Sequence, residues 1–237
     1  MLLQTKYRTE KPEIMDDFTI GGEDLVDALD KIAKINHLLG GNQLTLRGVQ
    51  HLIKKIPKSQ EITIVDVGCG NGDMLRTLAD YGKEKSLKFN LIGIDANNFA
   101  IQHAKDLSHN YSNIHFRCED ILNQDFGELK YDIVLCTLTL HHFKNDEIIQ
   151  LMTIFSKQAS IGVVINDLHR NKIAYRLFQL LCFVFRLKSM PREDGLTSIL
   201  RGFKKEELIR FSKKLNIKNY TVQWKWAFRY QWIISKI

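Results

Sequence analysis

The chain is poor in proline, has few cysteines and contains no apolar run of membrane-spanning length. Only Pro12, Pro57 and Pro191 interrupt its 237 residues. A proline-rich linker is therefore excluded, and nothing in the sequence resembles a low-complexity tract or an internal repeat. Cys69, Cys118, Cys136 and Cys182 stand far apart with no C-x-x-C pair, which argues against a zinc ribbon or a disulfide framework. Cys69, Cys118 and Cys136 lie in or beside apolar runs and read as buried free thiols, as suits a reducing cytoplasm. No stretch reaches the roughly 18 to 20 apolar residues of a membrane span. The opening "MLLQTKYRTEKPE" lacks the apolar core of a signal peptide, so a cytoplasmic protein is expected. Acidic residues are outnumbered, 27 against 34 lysines and arginines, for a net charge of +7. Apart from pairs such as Lys54-Lys55 and Lys204-Lys205 the basic residues are scattered, which suits a solvated surface better than a nucleic-acid track.

What is present is an alternation. Short apolar runs at 62–67, 89–95, 113–118, 131–137, 160–167, 220–226 and 229–235 read as strands. Amphipathic segments near 73–81, 98–109, 145–157 and 203–214 read as helices between them. Strands apolar on both faces and separated by helices predict a parallel sheet covered on both sides. The short turn between the last two runs predicts an antiparallel pair at an edge. The expected fold is α/β: a doubly wound, seven-stranded, mostly parallel sheet with one antiparallel edge strand. Two segments fall outside this alternation. Residues 1–57 are expected to form a helical cap on a domain spanning 58–237; within 13–56, which looks helical, the amphipathic run "GEDLVDALDKIAKINHLL" stops at Gly40-Gly41. An unusually apolar helix is expected at 171–190, inserted after the fifth strand. Both are candidates to cover the open end of the sheet.

The densest signal is "VDVGCGNGD", where Gly68, Gly70 and Gly72 follow the first strand at alternate positions. Glycine permits a tight turn and close approach of a ligand, and the amides opening the next helix are unpaired donors. Ligands of open parallel sheets bind at the carboxyl ends of the strands, where this turn lies. The spacing matches neither G-x-G-x-x-G nor G-x-x-x-x-G-K-[ST]. Asp95 ends the second strand, where a carboxylate can accept from both hydroxyls of a ribose. Asp120 and Ile121 follow the third strand, placed to meet an adenine amino group and ring. "YDIVLCTLTLHHF" brings the fourth strand to the same rim.

In order and approximate spacing, "VDVGCGNGD", "IGIDAN", "CEDI" and "YDIVLCTLTLHHF" resemble the class I S-adenosylmethionine-dependent methyltransferases. The resemblance implies S-adenosylmethionine as cofactor. It places Asp66 and the Gly68–Gly70 backbone on the methionine portion, with Asp95 and Ala96 at the ribose. Asp120 and Ile121 would sit at adenine, with Cys136 and Thr137 beside the sulfonium. No metal is implied. His141 and His142 fall where the family's acceptor sits, and either can serve as a base for a hydroxyl or phenol. Each also has a bland alternative: one packing on the cofactor, the other capping backbone. Asp167 and Arg170 follow the fifth strand and can orient an acceptor, or cap the next helix and meet solvent. No D/N-P-P-Y, no Pro-Cys pair and no aromatic-studded basic run occurs, so nucleic acid is the less expected substrate. The chain looks similar to ubiquinone- and menaquinone-type small-molecule methyltransferases, which implies a quinone, phenolic, polyketide or isoprenoid-like acceptor. RNA or protein methylation and non-catalytic cofactor binding stay open, as does peripheral contact of the apolar 171–190 segment with a membrane.

Overall fold

The computed structural model describes residues 3–122 and 131–237. Seven strands form one sheet in the order β3-β2-β1-β4-β5-β7-β6. They are β1 (Glu61–Val67), β2 (Lys88–Asp95), β3 (Ile114–Cys118), β4 (Tyr131–Thr137), β5 (Ala159–Leu168), β6 (Tyr220–Lys225) and β7 (Arg229–Ser235). The first five pair in parallel; β7 runs against both β5 and β6. The antiparallel pair thus closes one edge, with β6 outermost and the reversed β7 between it and β5. Central and outer strands differ as burial requires. Ile133, Val134, Leu135 and Cys136 of β4 are all buried, whereas β6 exposes Thr221, Gln223 and Trp224.

Alternation along each strand builds two cores. One face carries Val65, Val67, Val134, Cys136, Val163 and Trp232, covered by α5 (Asn145–Gln158) and α8 (Lys205–Lys214). The other carries Ile62, Ile64, Leu91, Leu135 and Val164. It is covered by α3 (Asp73–Lys85), by Ile101 of α4 (Asn98–Leu107), and by α2 (Gly41–Ile53) through Leu46, Val49 and Leu52. The segment expected as a cap therefore divides. Its second half is α2, part of the sheet's own cover; only its first half, with α1 (Glu23–Leu38), stands at the open end of the sheet. Gly48 makes the approach of α2 feasible, since a Cβ there would lie 2.6 Å from Val164 Cγ1.

The insertion also divides. The apolar run forms α6 (Lys172–Val184), opened by Asn171, whose side chain accepts from the Ile173 and Ala174 amides. A further helix, α7 (Ser189–Arg201), follows. Its buried side chains include Asp194, Thr197, Ser198 and Arg201, so no apolar stripe announces it in the sequence. On α6, Phe178 and Leu181 turn inward onto Ile35 and Leu187. Ile173, Leu177, Leu180 and Val184 form an exposed stripe on the same helix. Among the described residues no helix is long and apolar enough to cross a membrane. Cys69, Cys136 and Cys182 are buried free thiols; Cys118, at the end of β3 beside the sheet rim, is exposed, contrary to the expectation.

Candidate active site

A cavity of about 610 Å³ opens at the carboxyl ends of β1, β2, β4 and β5. Its lining includes Asp66, Gly68, Gly70, Asp95, Ala96, Asp120, Ile121 and Thr137, with Leu29 of α1 against the glycine turn, and residues of α6, α7 and the β6–β7 turn. The glycine turn takes left-handed backbone, φ 70° at Gly68 and 51° at Gly70, which disfavours any side chain. Asp95 holds this turn: its Oδ2 accepts from the Gly70 amide and its Oδ1 from the Asn97 amide, each at 3.0 Å. Asp66 is buried, and its Oδ1 has no partner. Burial, reinforced by Asp73 and Asp95, pushes the Asp66 carboxyl well above its ordinary range. An unpartnered carboxylate oxygen beside a bare glycine turn is suited to an ammonium group.

Strand alternation separates two neighbours expected to act together. Thr137 lines the cavity, where its hydroxyl meets Thr45 at 3.1 Å. Cys136 points the other way, into the core against α5, and does not reach the cavity. Gly72 likewise faces Phe116 rather than the cavity, and serves to open α3 at φ 76°.

The two histidines sit on the single helical turn Leu140–His142. Asp167, at the end of β5, accepts from the His141 amide (3.1 Å) and from His141 Nδ1 (2.7 Å). A carboxylate only accepts, so a ring proton lies on Nδ1, and in the neutral ring Nε2 carries the lone pair. Burial pushes Asp167 up, but the charge and hydrogen bond of His141 outweigh it and hold the carboxyl below its ordinary range. His141 Nε2 is buried without a hydrogen bond and faces Glu13 Oε1 at 3.6 Å, an oxygen that likewise accepts no hydrogen bond and lies 3.9 Å from Arg201 Nε. His142 Nδ1 meets Asp16 Oδ1 at 2.6 Å. Burial alone would raise Asp16; His142 and Arg201 bring it below the ordinary range instead. One ligand atom each from Glu13, His141 and His142 lies within 4.8 Å of the other two, close enough to hold a cation.

Arg170 does not reach the cavity. Its guanidinium is fully buried, paired with Glu207 Oε1 at 2.8 Å, and donates to the carbonyls of Thr5, Lys6 and Gly202. It anchors the N-terminal segment to the end of β5, in place of the expected acceptor contact. That anchoring matters to the site, because the same segment supplies Glu13 and Asp16. Helix α7 fixes both: Asp194 accepts from the amides of Ile14 and Met15, Ser198 donates to Glu13 Oε2 (2.7 Å), and Arg201 Nη1 donates to Asp16 (2.5 Å). Glu13, Asp16, Asp194 and Arg201 escape sequence reading because the first two lie more than a hundred residues from the histidines and the last two more than fifty, and no local pattern links them.

Burial pushes Glu13 up from 4.5 to about 7, with His142 and Ser198 opposing. The folded chain thus binds a proton there that the unfolded chain has released between about pH 4.5 and 7. Stability falls as pH rises through that window, by ~3 kcal/mol at most from this one group. Glu13→Gln is expected to be more stable than wild type at pH 8 and equal to it near pH 4.5. Urea denaturation at the two pH values measures this; a constant difference would dissociate Glu13 from the effect.

Comparison with known proteins agrees with this geometry. A family model described as "Methyltransferase domain" matches residues 58–190, more than half of the chain. The viral protein 235L of Invertebrate iridescent virus 6, which bears a methyltransferase name, is 34% identical over 85 residues; the match covers 36% of this chain and only 29% of that protein. The plantazolicin methyltransferase BamL, solved with a triazolic desmethyl-plantazolicin analogue and S-adenosylhomocysteine, superposes with a TM-score of 0.67 at 18% identity, covering 88% of this chain and 90% of its own. Magnesium protoporphyrin IX methyltransferase from Synechocystis PCC 6803, solved with S-adenosylmethionine, gives 0.55 at 15% identity, covering 93% and 87%. The residues around the glycine turn fit that cofactor: an orphan carboxylate for its ammonium, a turn without side chains, and paired strand-end acids. The chain belongs to the methyltransferase-domain family and has the fold of these methyltransferases, which were solved with S-adenosylhomocysteine or S-adenosylmethionine.

Proposed function

We propose that the protein methylates a hydroxyl-bearing, largely apolar small molecule, at oxygen or at a carbon activated by that hydroxyl, with His141 as the base. The observation that carries this reading is the buried His141–Asp167 pair, whose unpartnered Nε2 stands in a cavity walled mainly by apolar side chains. Asp66 would hold the cofactor's ammonium group, Asp95 its ribose, and Asp120 with Ile121 its adenine. The bound cofactor supplies a methyl group on a positively charged sulfur. His141 Nε2 receives the acceptor's hydroxyl proton, and Asp167 holds the ring in the required tautomer and balances the charge that develops. Helices α1, α6 and α7 line the cavity, and water displaced by the bound acceptor would strengthen these interactions. The desmethyl-plantazolicin analogues and magnesium protoporphyrin in the neighbours' names are extended acceptors of this size class, and they support the reading without selecting the acceptor. The exposed stripe on α6 would bring the cavity mouth to an apolar surface such as a bilayer; co-sedimentation with liposomes reads this out.

Two measurements test the proposal. Methyl transfer from labelled cofactor to 1-naphthol, with none to 1-methoxynaphthalene, is the expected result, insensitive to EDTA. Labelling of the methoxy compound would remove the base, and loss of transfer in EDTA would assign the Glu13–His141–His142 cluster to a cation. The second concerns the cofactor. Asp95→Ala is expected to weaken S-adenosylhomocysteine binding by about 1.5 to 3 kcal/mol in titration calorimetry, through loss of a charged acceptor. Unchanged affinity would take Asp95 off the ribose.

A further inference from the structure

Arg229 opens β7 opposite Leu168 at the end of β5, and its side chain lines the cavity. It is 97% buried by surface area, being 3% exposed, yet its Nε and Nη1 have no hydrogen-bond partner. Guanidinium carries five N–H donors, and a buried one is ordinarily paired with a carboxylate or several carbonyls. The carboxylate that acts on it is already engaged, and none of the buried acceptors of the neighbouring strand reaches it. Asp167, the carboxylate whose charge acts on Arg229, is engaged by His141 and by the Leu168 amide. On the neighbouring α2 the Gly41 carbonyl accepts from Asn166 and the Leu44 carbonyl from Gln231. Most of the other side chains here are apolar, Phe178, Leu181, Leu187, Trp226 and Phe228 among them, with His169 stacked on Phe228.

A buried cation left unpaired in an apolar pocket is costly unless a ligand brings the missing anion. We propose that Arg229 binds a carboxylate carried by the acceptor, so that the substrate is an apolar, hydroxyl-bearing acid; this rests on the methyl-transfer reading of the same cavity. The acid would be held in two places. Its carboxylate meets the Arg229 fork, which matches two parallel N–H···O bonds. Its hydroxyl then meets His141, which is hydrogen-bonded to Asp167 on the neighbouring strand β5. Such two-point binding aligns the hydroxyl for an in-line displacement, and it rejects neutral analogues because they leave Arg229 unpaired. Sequence reading gave no sign of this residue: Arg229 reads as one more polar residue at a strand end, and only its burial distinguishes it.

The same chemistry could come from the methionine carboxylate of the cofactor, and the experiment separates the two sources. Binding of 2-naphthoate and of neutral 2-naphthamide is measured by titration calorimetry on protein saturated with S-adenosylhomocysteine, and cofactor affinity is measured separately. Wild type is expected to prefer naphthoate at least about tenfold, and Arg229→Gln to lose that preference with cofactor affinity within about twofold. Failure of wild type to prefer naphthoate, including failure to bind it, would overturn the proposal. So would an Arg229→Gln variant whose cofactor affinity falls about tenfold, since the carboxylate would then be the cofactor's. Arg229→Met guards against a purely structural role: its melting temperature should match or exceed that of wild type, and a fall of more than about 5 °C would contradict an unpaired charge. These readouts need no turnover, so a carboxylate preference without naphthol methylation would remove the proposed chemistry and leave this site standing.

Discussion

His141→Gln is expected to lower kcat by about 10²- to 10⁴-fold, with S-adenosylhomocysteine affinity within about twofold of wild type. Glutamine is near the size of the imidazole and can still donate to Asp167, but it offers no basic lone pair at the Nε2 position. Asp167→Asn should approach the same loss by another route. An amide that donates toward Nδ1 favours the opposite tautomer, with the proton moved to Nε2, where the acceptor's proton has to go. The two changes act on one unit, so the double variant should be little worse than either single one. His142→Gln should cost less, because its side chain is 27% exposed and its Nδ1 is engaged with Asp16 rather than with a strand-end acid of the core. Single-turnover kinetics with saturating cofactor separates these cases. Wild-type rates in His141→Gln would mean that transfer proceeds by alignment alone or through another base.

The largest stability effect is expected at Arg170. Its guanidinium has no exposed surface and ties four parts of the chain together: the end of β5, the carbonyls of Thr5 and Lys6, Gly202 after α7, and Glu207 in the first turn of α8. Arg170→Ala leaves Glu207 and three carbonyls short of a partner and is expected to destabilise the fold by ~3 to 5 kcal/mol in urea denaturation. The N-terminal segment would loosen first, since two of the lost contacts are its own, and with it Glu13 and Asp16. Activity should therefore fall at temperatures where the sheet is still folded. Arg170→Lys retains a charge but not the planar fork, and should recover only part of the loss. An alanine variant within about 1 kcal/mol of wild type would show that the cluster is not an anchor.

The sheet and its order of helices were legible because parallel strands buried on both faces leave long apolar runs with little else to mimic them. The glycine turn and the strand-end acids were legible for a similar reason: each follows directly from where a strand stops. Three features were not. Cys136 and Thr137 looked equivalent in sequence, but strand alternation allows only Thr137 to face the cavity. Arg170 looked like a free cation at the rim, and only the return of residues 5 and 6 past β5 turns it into a buried clamp. Helix α7 escaped because the face it buries is polar, and that same face positions Glu13, Asp16 and the histidine turn. The assignment of α2 to a cap failed for a related reason. An amphipathic helix shows which face it buries but not against what, and α2 buries its apolar face on the sheet.

The central claim is that the methyl group goes to an apolar small molecule and that His141 is needed to deliver it. The direct measurement is incubation with S-[methyl-¹⁴C]adenosylmethionine and a fractionated extract of the producing cell, using wild type and His141→Gln in parallel. Label recovered in an organic-soluble fraction with wild type, and absent with the variant, is the predicted result. Label in RNA or protein, or equal labelling by the two enzymes, would contradict it.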